Sequence, residues 1–455
     1  MNSLPARNLR ILIVAPSAYL LGGVQNWLDY LMPGLEKFGY EVVLGLTDGE
    51  HHRSADYLVA HPWTKAERII NPTGSRQGRV NAVSRKILDV EPDIVFSVNI
   101  GDCLEAISDL REKRQSAARL VMTMHGIEAD YVGDLRYYEQ VVDGVIYTNR
   151  LIKPLIQTYT ALNSSRLFYA PCGVNIPNRM PVRDSKPHHI FWMGRFDQAQ
   201  KRCLELPLIA QSLPSRDISW KLILAGDGPE ECRLRQGFDD IEVGRVEFLG
   251  HVPHKTLLRE LLPTAGILLL NSSWETGPIT IWEAMAAGVP VVTSRYTGSG
   301  VENSLEDQHN VSMFDVGDVR AAADCLQSLF HDTELRRRLV KNGFELVKQR
   351  YSISRSVDSC QRALRTIMAL PPREDIALEA AEKPVQGRLD RWLGASKGEK
   401  LRRVLGRTWK HRSAGSEWPH ARVGMSAENQ EKFDTLARAL DQQRDGYHVD
   451  AEIGQ

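Results

Sequence analysis

Short apolar runs alternate with amphipathic stretches along most of this chain, and the alternation restarts once, after a break rich in proline, asparagine and arginine at 172–188. The first series reads as strands at 11–16, 41–46, 93–99, 119–125, 144–149 and 166–171, with helices such as Gln25–Phe38 and Cys103–Arg114 between them. The second reads as strands at 189–194, 221–226, 246–250, 266–271, 289–294 and 310–314. Such alternation predicts parallel strands in a doubly wound α/β sheet, whose ligands bind outside the carboxyl ends of the strands. Two series predict two domains of this kind, at 1–180 and 181–345. Pro33 falls inside the first helix pattern and predicts a kink there.

Length agrees, because 455 residues exceed what one core usually serves. With 42% hydrophobic and 25% charged residues and a formal net charge of zero, the chain reads as globular, with no global field that would draw nucleic acid. Arg7 and Arg10 precede ILIVAPSAYLLGGV, which has the look of a secretory leader. It reads better as a strand, a glycine loop and the start of a helix. No run reaches the length of a membrane span. The six cysteines are scattered, with no C-x-x-C, which suits a reducing compartment and argues against a disulfide framework or a cysteine metal site. A cytoplasmic location is the expectation.

The chemistry concentrates in Trp274–Val292, WETGPITIWEAMAAGVPVV, directly after the strand at 266–271. Gly277-Pro278 breaks the strand, and proline favours the first turn of a helix because its missing N–H has no partner there anyway. Ile279 to Ala287 continues as that helix until Gly288-Val289-Pro290. Glu275 then lies in a loop at a strand's carboxyl end, and Glu283 about a turn and a half into the helix. A helix N-terminus offers unbonded amides and partial positive charge to a phosphate. One carboxylate before it can accept hydrogen bonds from sugar hydroxyls, and one further along can reach a ribose. Two glutamates eight apart are common on charged helices, so the spacing alone says little.

With its context, the segment resembles the E-x7-E element of the retaining GT-B glycosyltransferases, family 4 or "group 1", in the variant with proline three after the first Glu. The family usually sets Gly directly after that Glu, whereas Thr276 and Gly277 follow it here. Other strand ends match in order. Gly22-Gly23-Val24 is similar to the family's "GG-V" loop near the donor phosphates, and His125-Gly126 to its His-Gly facing the transferred sugar and acceptor. Ala170–Asn175 is similar to its exit from the first domain. Gly194-Arg195 followed by Lys201 is similar to its "GR…K" pattern, in which the two cations meet the diphosphate leaving group; Arg202 stands beside them. The resemblance covers roughly residues 8–370.

It implies a GT-B fold: two Rossmann-like domains facing across a cleft, with a return helix at 346–370 packing on the first domain. Glu275, His125, Arg195 and Lys201 would do the chemistry. Gly22, Gly23, Arg195, Lys201, Gly226, Gly250, Gly277, Pro278, Ile279, Thr280 and Glu283 would hold the donor. The implied reaction moves a hexose-type sugar, with retention, from a UDP- or GDP-sugar to a glycan or lipid-linked acceptor, in cell-surface polysaccharide synthesis. The nucleotide sugar is a substrate, so no cofactor is expected. No D-x-D occurs in the chain, so no metal is expected either. Two alternatives stay open: a nucleotide-sugar enzyme without acceptor, such as a 2-epimerase, and a non-catalytic sugar-binding homologue, although Arg195, Lys201, Glu275 and Glu283 are all present.

Residues 371–455 lie beyond the resemblance and read as a basic tail, partly disordered or helical. Within 383–412, ten Lys or Arg accompany two acids, with Trp392, Leu393, Leu401, Val404, Leu405 and Trp409 interleaved. Such a stretch either lies on an anionic membrane surface, which would place the protein peripherally on the inner face of the cell membrane, or is a solvated appendage.

Overall fold

The computed structural model describes residues 8–18, 22–182, 188–214, 219–373 and 387–442. It divides into two compact units, one comprising 1–148, 152–170 and 357–435, the other 149–151, 171–356 and 436–455.

The first unit carries a seven-stranded parallel sheet in the order β3-β2-β1-β4-β5-β6-β7. Its strands are β1 (Arg10–Ala15), β2 (Glu41–Asp48), β3 (Ala66–Ile70), β4 (Ile94–Val98), β5 (Arg119–Met124), β6 (Gly144–Tyr147) and β7 (Leu167–Tyr169). The central strands are buried on both faces, as helices on both sides of a parallel sheet require: no residue of β4 or β5 is exposed. Six of the seven were legible as apolar runs. β3 was missed because it is an edge strand whose Glu67, Arg68 and Ile70 face outward, leaving Ile69 alone fully buried. The first helix runs Gly23–Lys37 with Pro33 inside it.

The second unit carries a six-stranded parallel sheet, β10-β9-β8-β11-β12-β13. These are β8 (His189–Met193), β9 (Lys221–Ala225), β10 (Val246–Gly250), β11 (Ile267–Leu270), β12 (Val291–Ser294) and β13 (Ser312–Phe314). Leu268 and Leu270 point into one apolar layer with Ile281, Trp282 and Met285, while Ile267 and Leu269 point into the other with Trp192 and Phe196. That two-sided alternation follows from the period of two along a strand. Tyr351 stacks on Trp282 at 4.0 Å and donates to Glu302 at 2.9 Å, so a carboxylate is satisfied inside this core. Residues 172–174, read as part of a linker, are paired: the Val174 N–H donates to Tyr351 O at 2.7 Å and its carbonyl accepts from Ile353 N at 3.1 Å.

From Val357 the chain belongs to the first unit again, within the helix Ile353–Ala369. Residues 387–435, set apart above as a tail, also pack into this unit. They form helices Gly387–Leu393, Ala395–Val404 and Ala414–Glu417 and most of Ala427–Gln442. Trp418 is 1% exposed, and its indole N–H donates to Asp48 O. A solvated appendage does not describe such residues. Positions 383–386 of the basic stretch lie outside the described residues.

Candidate active site

In the second sheet the strand order reverses between β8 and β11. At such a reversal the loops leaving the two strands diverge to opposite faces and open a crevice at their carboxyl ends. Lys201 follows β8, and Glu275 follows β11. The structure brings them together: Lys201 Nζ lies 2.5 Å from Glu275 Oε1, with Glu275 only 7% exposed. The Ser272 hydroxyl donates to the same carboxylate oxygen at 2.7 Å.

Local hydrogen bonds hold these loops in register. Gln200 O accepts from Ser273 N at 2.7 Å, and its side-chain amide donates to Trp274 O at 3.2 Å. Glu275 N donates to Thr297 O at 3.1 Å, tying the glutamate's backbone to the loop after β12. Asn271, the last residue of the β11 run, accepts from Trp192 Nε1 at 2.9 Å and donates to Arg202 O at 2.8 Å. Ser272, Gln200 and Thr297 were not singled out in the sequence. The first two adjoin the Glu275 and Lys201 motifs, and that adjacency was the available signal.

Arg195 reaches less far. Its side chain is 61% exposed and pairs with Asp197 at 2.8 Å. Burial pushes the Asp197 carboxyl up, but the Gln200 amide and the Arg195 guanidinium outweigh it and hold the group below its ordinary value. Arg202, the neighbouring cation, is taken up by Glu205.

The helix after Glu275 runs Ile279–Ala286, ending one residue earlier than the sequence predicted, with Pro278 as the residue preceding it at φ −66°. Gly277 has φ +129°, a backbone few side chains tolerate, which explains a glycine in the turn between carboxylate and helix. Ile279 and Thr280 form the first turn, whose amides have no partner inside the helix. Glu283 is buried on this helix and lies 2.5 Å from His254 Nε2. His254 opens the short helix His254–Thr256 after β10, 29 positions away, and no local pattern points to it.

Gly226 and Gly250 sit at the ends of β9 and β10, and Gly226 N donates to Gly250 O at 2.8 Å. A Cβ on Gly226 would lie 1.9 Å from Gly194 O, and one on Gly228 2.5 Å from Phe196 O. These glycines let the β9 loop press against the backbone that carries Arg195. Gly250 has φ +64° and open space where a Cβ would go.

The remaining predicted residues belong to the first unit. Gly22 and Gly23 precede and begin the helix after β1, and Gly22 has no capping side chain. His125 leaves β5 with its ring edge-on to Trp27 at 4.4 Å. Burial pushes its imidazole down to about 4, so it is neutral at physiological pH. Among the described residues no group of three or more His, Cys, Asp or Glu is placed to hold a metal ion.

Comparison with known proteins points the same way. Residues 179–346 match the family model "Glycosyl transferases group 1". The chain is 26% identical over 251 residues to an N-acetyl-alpha-D-glucosaminyl L-malate synthase of Bacillus anthracis, a match covering 51% of this chain and 64% of that protein. It is 25% identical over 373 residues to a phosphatidyl-myo-inositol mannosyltransferase of Mycolicibacterium smegmatis, covering 79% and 94%. Among solved structures, HepE of Anabaena in complex with UDP and glucose aligns with a TM-score of 0.64 at 18% identity, over 80% of this chain and all of that one (100%). The fold is GT-B.

Proposed function

We propose that this chain, whose residues 179–346 match the group 1 glycosyl transferases, moves a hexose-type sugar from a UDP- or GDP-sugar to a glycan or lipid-linked acceptor in cell-surface polysaccharide or glycolipid synthesis. The observation that carries this reading is the meeting of Lys201 and Glu275 at the strand-order reversal of the second sheet. A diphosphate arriving there finds the Lys201 ammonium already oriented by Glu275, with donors to spare. The first amides of Ile279–Ala286 add positive potential, and Arg195, exposed beside Asp197, adds a forked donor. Charge developing on the departing diphosphate is thus met by groups that need little reorganisation.

Glu275, beside that ammonium, contacts the transferring sugar. Glu283, buried and backed by His254, takes the nucleoside hydroxyls. The reaction proceeds by front-face attack with retention, the leaving diphosphate accepting the acceptor's proton. No metal is needed in this scheme because Lys201, Arg195 and the helix amides supply the charge. A lipid-linked acceptor would bring the enzyme to the inner face of a membrane.

The test is a screen of nucleotide sugars for thermal stabilisation, since a ligand binding only the folded state raises the melting temperature. The stabilising donor is then assayed with and without glycan acceptors, in EDTA. Acceptor-dependent consumption of the donor, with the anomeric configuration kept in the product, is expected. Consumption without acceptor would favour an epimerase, and loss of transfer restored only by added Mg²⁺ or Mn²⁺ would end the metal-free scheme.

A further inference from the structure

Helices Gly387–Leu393 and Ala395–Val404 form a hairpin that turns at Gly394, φ +78°. Its two acids both point inward. Asp390 pairs with Arg402 at 2.7 Å, and Gly398 lets the helices close, because a Cβ there would lie 2.3 Å from Asp390 Oδ1. Glu399 accepts from Thr73 at 2.8 Å and Ser75 at 2.5 Å, fastening the hairpin to the loop after β3 in the same unit. Asp390, Glu399 and Arg402 are all buried.

The outward side is therefore of one sign. Arg388, Arg391, Lys397, Lys400, Arg403, Arg407, Lys410 and Arg412 are exposed, while neither acid of 387–412 is. Apolar side chains stand among them: Trp392 is 89% exposed and Val404 82%. At 100° per residue, Arg388 and Trp392 fall opposite Asp390 on the first helix, and Lys397, Lys400 and Val404 fall opposite Arg402 on the second. Leu393 and Leu405, also exposed, end the two helices. Solvent gains nothing from a displayed tryptophan, valine and two leucines, and an anion in solution would use only the cations. An anionic lipid surface uses both: headgroups for the cations, the acyl boundary for the apolar side chains.

We propose that the outward side of this hairpin is a docking surface for an anionic lipid membrane. The inference deepens the lipid-linked reading above by naming the surface, yet it stands on the hairpin alone. Burying the acids inward means the attraction is not offset by like-placed carboxylates. Fastening through Glu399 means the surface moves with the first unit.

The full chain is tested by co-sedimentation with phosphatidylcholine vesicles, with or without phosphatidylglycerol, at low and high salt and with no sugar donor. Salt-sensitive binding to the phosphatidylglycerol vesicles alone is expected. Lys397→Gln with Lys400→Gln should lower that partition about thirtyfold, at roughly 1 kcal/mol per cation, and Trp392→Ser about tenfold. Both alterations are at exposed positions, and unchanged thermal melting will show that the fold is kept. Equal binding to both vesicle types, or wild-type binding by the lysine variant, would overturn the proposal. So would a single-stranded oligonucleotide that displaces the vesicles while Trp392→Ser binds normally, which would assign the patch to nucleic acid. Transfer activity does not enter this readout, so loss of the glycosyl-transfer reading and loss of the membrane surface are told apart.

Discussion

The carboxyl edges of the two sheets are built by opposite means. At the edge of the second sheet, the loops carrying Lys201 and Glu275 are pinned by one another and by residues close in sequence: Gln200 donates to Trp274 O at 3.2 Å, Ser272 bonds Glu275 three residues on, and Asp197 accepts from the Gln200 amide at 2.9 Å. At the edge of the first sheet, loops are pinned by residues more than 280 positions downstream. Glu417 accepts from Glu50 N and His51 N at 2.7 and 2.8 Å, and Asp134 accepts from the amides of 422–424 at 2.6 to 2.9 Å. Arg422, with its side chain 2% exposed, pairs with Asp102 at 2.8 Å and with Glu105. Distant lacing makes an edge part of the core.

If that contrast is right, Arg422→Ala is the most damaging single change. It removes the buried cation that pairs with Asp102 and Glu105, a loss of about 3–5 kcal/mol. Chemical denaturation followed by tryptophan fluorescence reads it, and a midpoint like the wild type's would erase the distinction between the two edges.

Lys201→Ala should do the reverse. The ammonium is part of a working crevice rather than of a core, so kcat should fall about 10²- to 10³-fold, roughly 3–4 kcal/mol of transition-state stabilisation. Its melting temperature should drop far less than that of Arg422→Ala. Steady-state kinetics beside a melting curve decides, and near-normal kcat in a folded variant would remove Lys201 from the site.

The same contrast explains what the sequence disclosed. Most strands and the Lys201, Glu275 and Glu283 positions were legible because their signals are local: an apolar run, a glycine turn, a carboxylate at fixed distance from a helix start. β3 was not, since an edge strand with two charges among five residues lacks that signal. His254 was not, because its partner Glu283 is close only in the fold. The tail was misjudged for the same reason. Asp390, Glu399, Trp418 and Arg422 carry no mark of burial in a basic, low-hydropathy stretch; Asp390 meets Arg402 across a hairpin, and the other three have partners hundreds of residues away.

A smaller effect follows from His52, whose ring bonds Thr47 Oγ1 at 2.7 Å and Ala414 O at 3.2 Å. Burial holds this imidazole down to about 4, against 6.5 for an ordinary histidine. The unfolded chain takes up its proton first, so this contribution to stability is whole above about pH 6.5 and is lost as pH falls toward 4. Amide exchange around 48–52 and 414–418 should quicken over that window. His125 acts in the same direction, so His52→Gln should shrink the slope rather than abolish it; an unaltered slope would exclude His52 as a contributor.

The most direct test is calorimetric titration of UDP and GDP into the wild type and into Glu275→Ala, Glu283→Ala and Lys201→Ala. One of the two nucleotides should bind the wild type. Lys201→Ala and Glu283→Ala should each weaken that binding about tenfold or more, the scale of one lost charge-assisted contact. Glu275→Ala should bind it nearly as well as the wild type while losing transfer, because its carboxylate serves the sugar. Undiminished nucleotide binding in both Lys201→Ala and Glu283→Ala would contradict the placement of the donor at the β8–β11 reversal.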